Sequence, residues 1–427
     1  VSPAESREAL AARIRGLVEA YFAAPAPPED GARRLPLHVP AYGADEVNEA
    51  VASLLSTRVT MGEKVRRFEA LWAEYLGAGE AVMVNSGSSA NLLAAAIAVN
   101  PGVARPLAAG DEVIVPAVAW STTYFPLVNM GLVPVLVDVD LATCTLDAEA
   151  AARAIGPRTR AIMPVHLLGN ACDMDALGAL ARRHSLLTIE DSCEAHGARF
   201  RGRPVGTFGE MATFSFYFSH HISTIEGGML VTSDPAIADL ARVLRAHGWT
   251  RDLRRAPAVV NPRIDPRFLF VNLGFNFRPT ELQGAFGIHQ VPKLEAFIRV
   301  RRENAEYWNQ ALRKYSEWLL ECPGREDGGS RSVWFGYPIT VRPGAPFTRD
   351  ELVQFLEGKG IETRPIMAGN FRDQPAIRLF PHRVAGPLPN AELLMARSFF
   401  IGNHHRIGEA DRAWVRECID EFMGRWA

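Results

Sequence analysis

Val82-Met83-Val84-Asn85-Ser86-Gly87-Ser88-Ser89-Ala90-Asn91-Leu92-Leu93-Ala94-Ala95-Ala96-Ile97-Ala98-Val99 joins two apolar runs through a short polar turn. The first run, 82–84, has strand character. The second, 92–99, reads as an apolar helix. A buried strand that turns directly into a buried helix is the repeating unit of α/β domains. Backbone N–H groups at such a helix start, with hydroxyls beside them, form an anion site, most often for phosphate. Gly87, Ser88 and Ser89 are the candidates. The competing reading is a serine that only caps the helix.

The same alternation continues on both sides. Runs 112–115, 134–137, 161–165, 187–190 and 212–216 are short and apolar, with helical stretches between most of them. Strands without clean polar alternation are buried on both faces. The pattern predicts an α/β fold, a mostly parallel sheet covered by helices. Near Gly287 the texture changes: a long Arg/Glu-rich helical stretch (290–312), a strand (334–340) and helices at 349–359 and 409–423 suggest a smaller α+β domain. Residues 1–24 read as an amphipathic helix, and APAPPEDGARR (24–34) as a Pro-rich linker. The expected division is therefore 1–34, helix and linker; 35–289, the large domain; and 290–427, the small one.

Composition narrows the function classes. The chain has 427 residues, 46 Lys and Arg against 48 Asp and Glu, a net charge of −2, and 48% hydrophobic residues. That excludes a disordered or collagen-like protein. It gives no electrostatic footprint for nucleic acid or a membrane surface. The five cysteines are odd in number and scattered, with no C-x-x-C spacing, as in a reduced cytosolic enzyme. The N-terminal stretch is charged throughout, unlike the apolar centre of a signal peptide, and run 92–99 is too short to span a bilayer. A cytoplasmic location is expected.

Three more segments carry candidate chemistry. Glu190-Asp191-Ser192-Cys193-Glu194 follows a strand, where α/β proteins place ligands. A carboxylate there could face a cationic ring nitrogen or a metal, or cap a helix. Val115-Pro116-Ala117-Val118-Ala119-Trp120 puts an indole just past a strand end, to stack on a planar cofactor or to fill core. The third, Phe214-Ser215-Phe216-Tyr217-Phe218-Ser219-His220-His221, has adjacent histidines that point opposite ways on an extended run, a poor metal pair. One of them could serve as a general base.

Together these segments resemble the sugar aminotransferase family of vitamin B6 enzymes (DegT/DnrJ/EryC/StrS), which has the aspartate-aminotransferase type fold (fold type I). The resemblance runs from about Pro36 to the C-terminus. The family motif S-F-x-x-x-K-x-x-x-x-G-E-G-G is matched by Ser215, Phe216, Glu226, Gly227 and Gly228. The cofactor-binding Lys position is His220, Ile225 replaces a Gly, and Glu194 replaces a Gln. Lys-to-His resembles the subgroup of NDP-4-keto-6-deoxyhexose 3-dehydratases. One branch of that subgroup carries an iron–sulfur cluster on clustered cysteines. Here no cysteine lies between His247 and Cys322, so no cluster is expected. PAVAWSTTYFPL (116–127), AHGWTRDL (246–253), RRENAEYW (301–308), RPIMAGNF (364–371) and IGNHH (401–405) resemble the other branch, whereas the N-terminal helix resembles the cluster-bearing one.

The resemblance implies pyridoxal phosphate and pyridoxamine phosphate as cofactor, L-glutamate as amino donor and a nucleotide sugar as substrate, GDP-4-keto-6-deoxy-D-mannose above CDP- or dTDP-linked sugars. The activity implied is loss of the C3 hydroxyl, on the way to colitose in a lipopolysaccharide O-antigen. An ordinary sugar aminotransferase, an iron–sulfur 3-dehydrase and, in a different class, a non-catalytic regulator using this fold as a sensing domain are the rival readings. Carried over by position, His220 is the base, and Glu194 lies near the ring hydroxyl or the reacting centre. Asp191 faces the pyridine nitrogen and Trp120 stacks on the ring. Ser88, the N–H groups of Gly87 and Ser89, and Ser215 hold the phosphate. Asn276 reaches the phosphate of a neighbouring subunit, which implies a homodimer with shared sites. His247, Arg251 and Arg364 are weaker substrate candidates, Arg364 as a bidentate donor to a carboxylate or diphosphate.

Overall fold

Ser86 does cap a helix that follows a strand. The computed structural model describes residues 5–25, 33–253, 261–322 and 324–426, so 26–32 of the Pro-rich stretch lie outside the described residues. In chain order the strands of the large sheet are β1 (Glu80–Val84), β2 (Glu112–Pro116), β3 (Val133–Val137), β4 (Thr159–Ile162), β5 (Leu187–Asp191), β6 (Met211–Ser215) and β7 (Gly228–Thr232). Their spatial order is β1-β7-β6-β5-β4-β2-β3, with Arg383–Val384 as an eighth strand beside β3. Only β7 runs against its neighbours; every other pair is parallel.

The missing hydropathy alternation has a direct cause. Successive strand residues enter two different cores, one on each face of the sheet. Val113 and Val115 join Val82, Val84, Leu136 and Ile189 under the helix Gly87–Ala98. Ile114 joins Met83, Val135, Val137 and Phe214 against Phe68 and Trp72 of the helix Glu63–Leu76. All residues of β2, β3, β6 and β7 are buried.

A second, wholly antiparallel sheet orders Leu319–Leu320, Gly336–Val341, Ser398–Gly402 and Thr363–Pro365. Its core collects Trp308, Ile339, Phe399, Ile401 and Phe422, and also Leu35, whose backbone bridges to Ile361. The helical stretch expected at 290–312 begins with a 3-10 turn, Val291–Lys293, because Pro292 has no N–H to donate. The α-helix proper is Leu294–Leu312. At the other end of the chain the helix Arg7–Ala23 is capped by Ser6 and buries none of its residues. No described helix is long and apolar enough to cross a membrane.

The stretch expected to be extended around His220 is instead a closed loop. Strand β6 stops at Ser215, and residues 216–227 fold back to start β7. Thr224 N–H donates to Phe216 O, and Phe216 N–H to Gly227 O, both at 2.9 Å. Ile225 sits in this loop at φ +70°, where a β-branched residue is strained. It is 50% exposed, so its side chain recovers little by packing. Ile225→Gly should therefore stabilise the protein by about 0.5–1 kcal/mol, the αL penalty less the extra chain entropy of glycine. Urea unfolding midpoints of the two proteins measure this; a lower midpoint for the glycine variant would show that the Ile225 contacts outweigh the strain.

Candidate active site

The ends of β1, β5 and β6 and the start of the helix Gly87–Ala98 surround a cavity of about 510 Å³. Its floor is set by close backbone approach. Gly228 lies in register between Val84 of β1 and Ser215 of β6. A Cβ on Gly228 would come 2.1 Å from Ser86 O, and one on Gly87 would come 2.4 Å from Ser215 Cβ. Two bare glycines thus let the Ser86–Gly87 turn press against Ser215. Ser86 Oγ accepts the Ser89 N–H at 3.1 Å and Ala90 N–H donates to Ser86 O. That leaves Gly87 and Ser88, both lining the cavity, as the unbonded N–H groups of the first turn. Capping and anion binding are thus divided among neighbours, and a phosphate fits beside Gly87, Ser88 and Ser215.

Asp191 ends β5 and is 5% exposed. Three donors converge on its carboxylate: Thr123 Oγ1 at 2.8 Å, Asn91 Nδ2 at 3.0 Å and Cys193 N at 3.2 Å. Asn91 is itself held, its Oδ1 accepting from Thr213 Oγ1 at 2.5 Å. The carboxylate therefore has one orientation, facing the cavity it lines. Its neighbour Glu190 has a different task. It accepts N–H bonds from Gly206, Phe208 and Gly209 and bonds His166, outside the cavity. Trp120 is 55% exposed, so it is not core; its indole lies open along the cavity wall. A flat cationic ring placed between Trp120 and the phosphate cradle would find the Asp191 carboxylate within the same cavity, so these residues suit a pyridoxal phosphate.

Two titratable groups face the cavity with opposite shifts. Burial raises the Glu194 carboxyl to about 8, with Asp191 adding to the shift, although the Leu168 N–H donates to it at 2.8 Å. Burial first, and the Arg301 guanidinium second, lower the His220 imidazole to about 3. Near neutral pH the carboxyl thus carries a proton and the imidazole does not. His220 Nδ1 is buried without a partner, which leaves Nε2 as the nitrogen that serves the cavity. His221 diverges from it into the core and bonds Val333 O through Nε2 at 3.0 Å. Groups pushed apart in this way are matched as an acid and a base.

Of the residues singled out from sequence, Gly87, Ser88, Trp120, Asp191, Glu194, Ser215 and His220 meet in this cavity. Ser89 is taken up by the helix cap. Asn276 and Arg251 line a separate cavity of about 550 Å³ with Arg66 and Arg278. His247 and Arg364 are exposed and line neither. Asn91, Thr123, Tyr217 and Glu226 border the first cavity without having been selected. Asn91 carried a signal, because a polar residue inside an otherwise apolar helix needs a buried partner.

The chain matches the model of the DegT/DnrJ/EryC1/StrS aminotransferase family over residues 40–420. It is 41% identical over 377 residues to the GDP-4-keto-6-deoxy-D-mannose 3-dehydratase of Yersinia pseudotuberculosis, covering 86% of this chain and 94% of that one. Among solved structures, the E. coli GDP-4-keto-6-deoxy-D-mannose-3-dehydratase with bound hydrated PLP superposes with a TM-score of 0.85 at 38% identity, over 91% of this chain and 100% of that chain. A structure of GDP-4-keto-6-deoxymannose-3-dehydratase with trapped PLP-glutamate gives 0.84 at 38% identity, over 90% and 100%.

A protonated Glu194 is directly observable. Infrared difference spectra of wild type against Glu194→Gln should contain the stretch of a protonated carboxyl at neutral pH, fading as the pH rises through about 8. A carboxylate already formed in mild acid would contradict the burial described.

Proposed function

The chain belongs to the DegT/DnrJ/EryC1/StrS aminotransferase family, and on that premise we propose that it is a dehydrating member, not a transaminating one. It removes the C3 hydroxyl of an NDP-4-keto-6-deoxyhexose, GDP-4-keto-6-deoxy-D-mannose first, and yields a 4-keto-3,6-dideoxy sugar. The cofactor is pyridoxal phosphate, in its pyridoxamine form when it meets the sugar, and L-glutamate is the amino donor. One observation carries the reading: His220 stands at the family's cofactor-binding Lys position, in a cavity that keeps Asp191, Trp120, Ser88 and Ser215. A degenerate site would have lost some of these.

The cofactor supplies an electron sink for a carbanion next to its ring. The chain supplies everything around it. Asp191, clamped by Thr123, Asn91 and the Cys193 N–H, pairs with the ring nitrogen. Trp120 covers one ring face. Gly87, Ser88 and Ser215 hold the phosphate. His220 takes the proton from the carbon next to the ring through Nε2, a task for which an uncharged imidazole is ready. A lysine with its reference pKa of ~10.4 would be mostly protonated and would bind the cofactor covalently. Glu194 holds a proton below about pH 8 and delivers it to the departing C3 hydroxyl. The hydroxyl leaves as water. Glutamate provides the two electrons and ends as 2-oxoglutarate, and its nitrogen is released as ammonia.

Asn276, Arg251 and Arg278 open onto their own cavity, away from His220 of the same chain. We propose that Asn276 serves the phosphate site of a second copy, in a homodimer with shared active sites. An amphipathic helix and Pro-rich linker (1–34), a cofactor-binding domain (35–289) and a small C-terminal domain (290–427) complete the proposed organisation. A cytoplasmic location is part of the same proposal.

A single reaction mixture tests the reading: purified protein, pyridoxal phosphate, L-glutamate and GDP-4-keto-6-deoxy-D-mannose, with no reductant or partner protein. Mass spectrometry should find 2-oxoglutarate together with a nucleotide sugar lacking one oxygen. An amino sugar instead would restore the transaminase reading. His220→Asn should reduce deoxygenation by about 10²-fold or more, the lower range for a lost general base. A near wild-type rate would remove His220 from the role.

A further inference from the structure

Behind the cavity wall the helix Leu294–Leu312 buries Arg301 to 3% exposure. Its guanidinium Nη1 donates to Phe335 O at 2.9 Å and Trp334 O at 3.2 Å, and to Asn403 O. Nε has no partner. No carboxylate pairs with it among the described residues. Burial lowers this guanidinium to about 9, which still leaves it charged near neutral pH, so it is a positive centre satisfied only by carbonyl dipoles. The same peptide segment supports the histidines. The Phe335 ring lies 5.2 Å from that of His220 and 6.1 Å from that of His221. Trp334 sits at φ +51°, a strained position, and Arg301 bonds its carbonyl and the next one, Phe335 O. His196 completes the cluster, its ring 5.8 Å from His220 and 5.5 Å from His221.

We propose that Arg301 is a positioning residue for the dehydration: an unpaired buried cation that keeps the His220 imidazole uncharged and, through Trp334 and Phe335, fixes its ring. This rests on the reading of His220 as the base. The charge has work to do because His220 faces carboxyl groups. Asp191 and Glu226 share its cavity, Glu194 joins them once it ionises above about pH 8, and a bound phosphate would add negative charge. Each of these, when ionised, attracts a proton to the imidazole. On the other side stand Tyr217, His196 and His221, none of which offers a positive charge at neutral pH. Among the described residues Arg301 is the cation set against that field. It also faces His404 and His405 on its far side, both held uncharged by burial. A base that must be unprotonated each time it meets substrate gains from a permanent neighbour of like sign.

Histidine-labelled holoenzyme followed by NMR tests this directly, with His220→Asn assigning the resonance. In the wild type the His220 signal should stay neutral down to about pH 5, well below the ordinary value of ~6.5. Arg301→Gln should raise its titration midpoint by about one pH unit or more, and the acid limb of kcat/KM should rise with it; Arg301→Lys, which keeps the charge, should restore both toward wild type. A wild-type His220 that titrates near its ordinary value would overturn the proposal whether or not the glutamine variant folds. So would a glutamine variant whose midpoint is unmoved, or one that is slower by the same factor at every pH, since that is the mark of lost packing alone. Dehydration that persists in His220→Asn would instead overturn the base, and would leave the titration result intact.

Discussion

The whole site hangs on a place where two backbones touch. Gly87 and Gly228 carry no Cβ, and without that space Ser86 and Ser215 could not lie against each other. The contact brings three strand ends, β1, β7 and β6, into one plane beside a helix N-terminus. The short return of residues 216–227 then runs β7 antiparallel inside a sheet that is otherwise parallel. The glycine contact also sets the depth of the anion cradle relative to Asp191, which ends the neighbouring strand β5. A methyl group at either glycine would separate these elements before it altered any chemistry.

On that frame the cavity divides its charge. Asp191 is surrounded by donors, Glu194 is pushed up by burial, and His220 is pushed down by burial and a nearby guanidinium. The three groups lie in one cavity, yet each has a different local field, and so the site offers an acceptor, an acid and a base together. The aminotransferase scaffold supplies the first of these. Glu194 and His220, with Ile225, depart from the family pattern, and the first two are the pair with opposed shifts.

Much of this was legible in the sequence. The six expected strands exist, because strand length and β-branched composition suffice where both faces are buried. Strand β7 was not read, since Gly228 and Met229 give it no strand signature, and Arg383–Val384 is too short to have one. The extended run assumed at His220 became a loop because Ile225 adopts a left-handed turn that its side chain does not advertise. Seven of the site residues named from motifs meet in one cavity. Those that clamp Asp191 were missed for a plain reason. Thr123 acts through a side-chain bond across a long sequence separation, which leaves no local pattern, and the polarity of Asn91 in an apolar helix signals a buried partner without naming it. Arg301 opens the stretch RRENAEYW (301–308) without a local sign of burial, as an arginine on a charged helix normally reads as solvent-facing.

The helix Arg7–Ala23 has one more consequence. It buries no residue, and Leu17 and Tyr21 stay 68% and 76% exposed. Only Ala11, Ile14 and Val18 along one face are partly covered, so detaching or fraying it costs less free energy than opening either core. In hydrogen-exchange terms this helix is expected to open as a unit of its own, ahead of the two-sheet body. Amide protons of residues 7–23 would exchange through local opening, while those of β2, β3 and β6 would wait for global unfolding. The chain therefore has two stabilities, and a denaturation curve followed by total helix content would blend them.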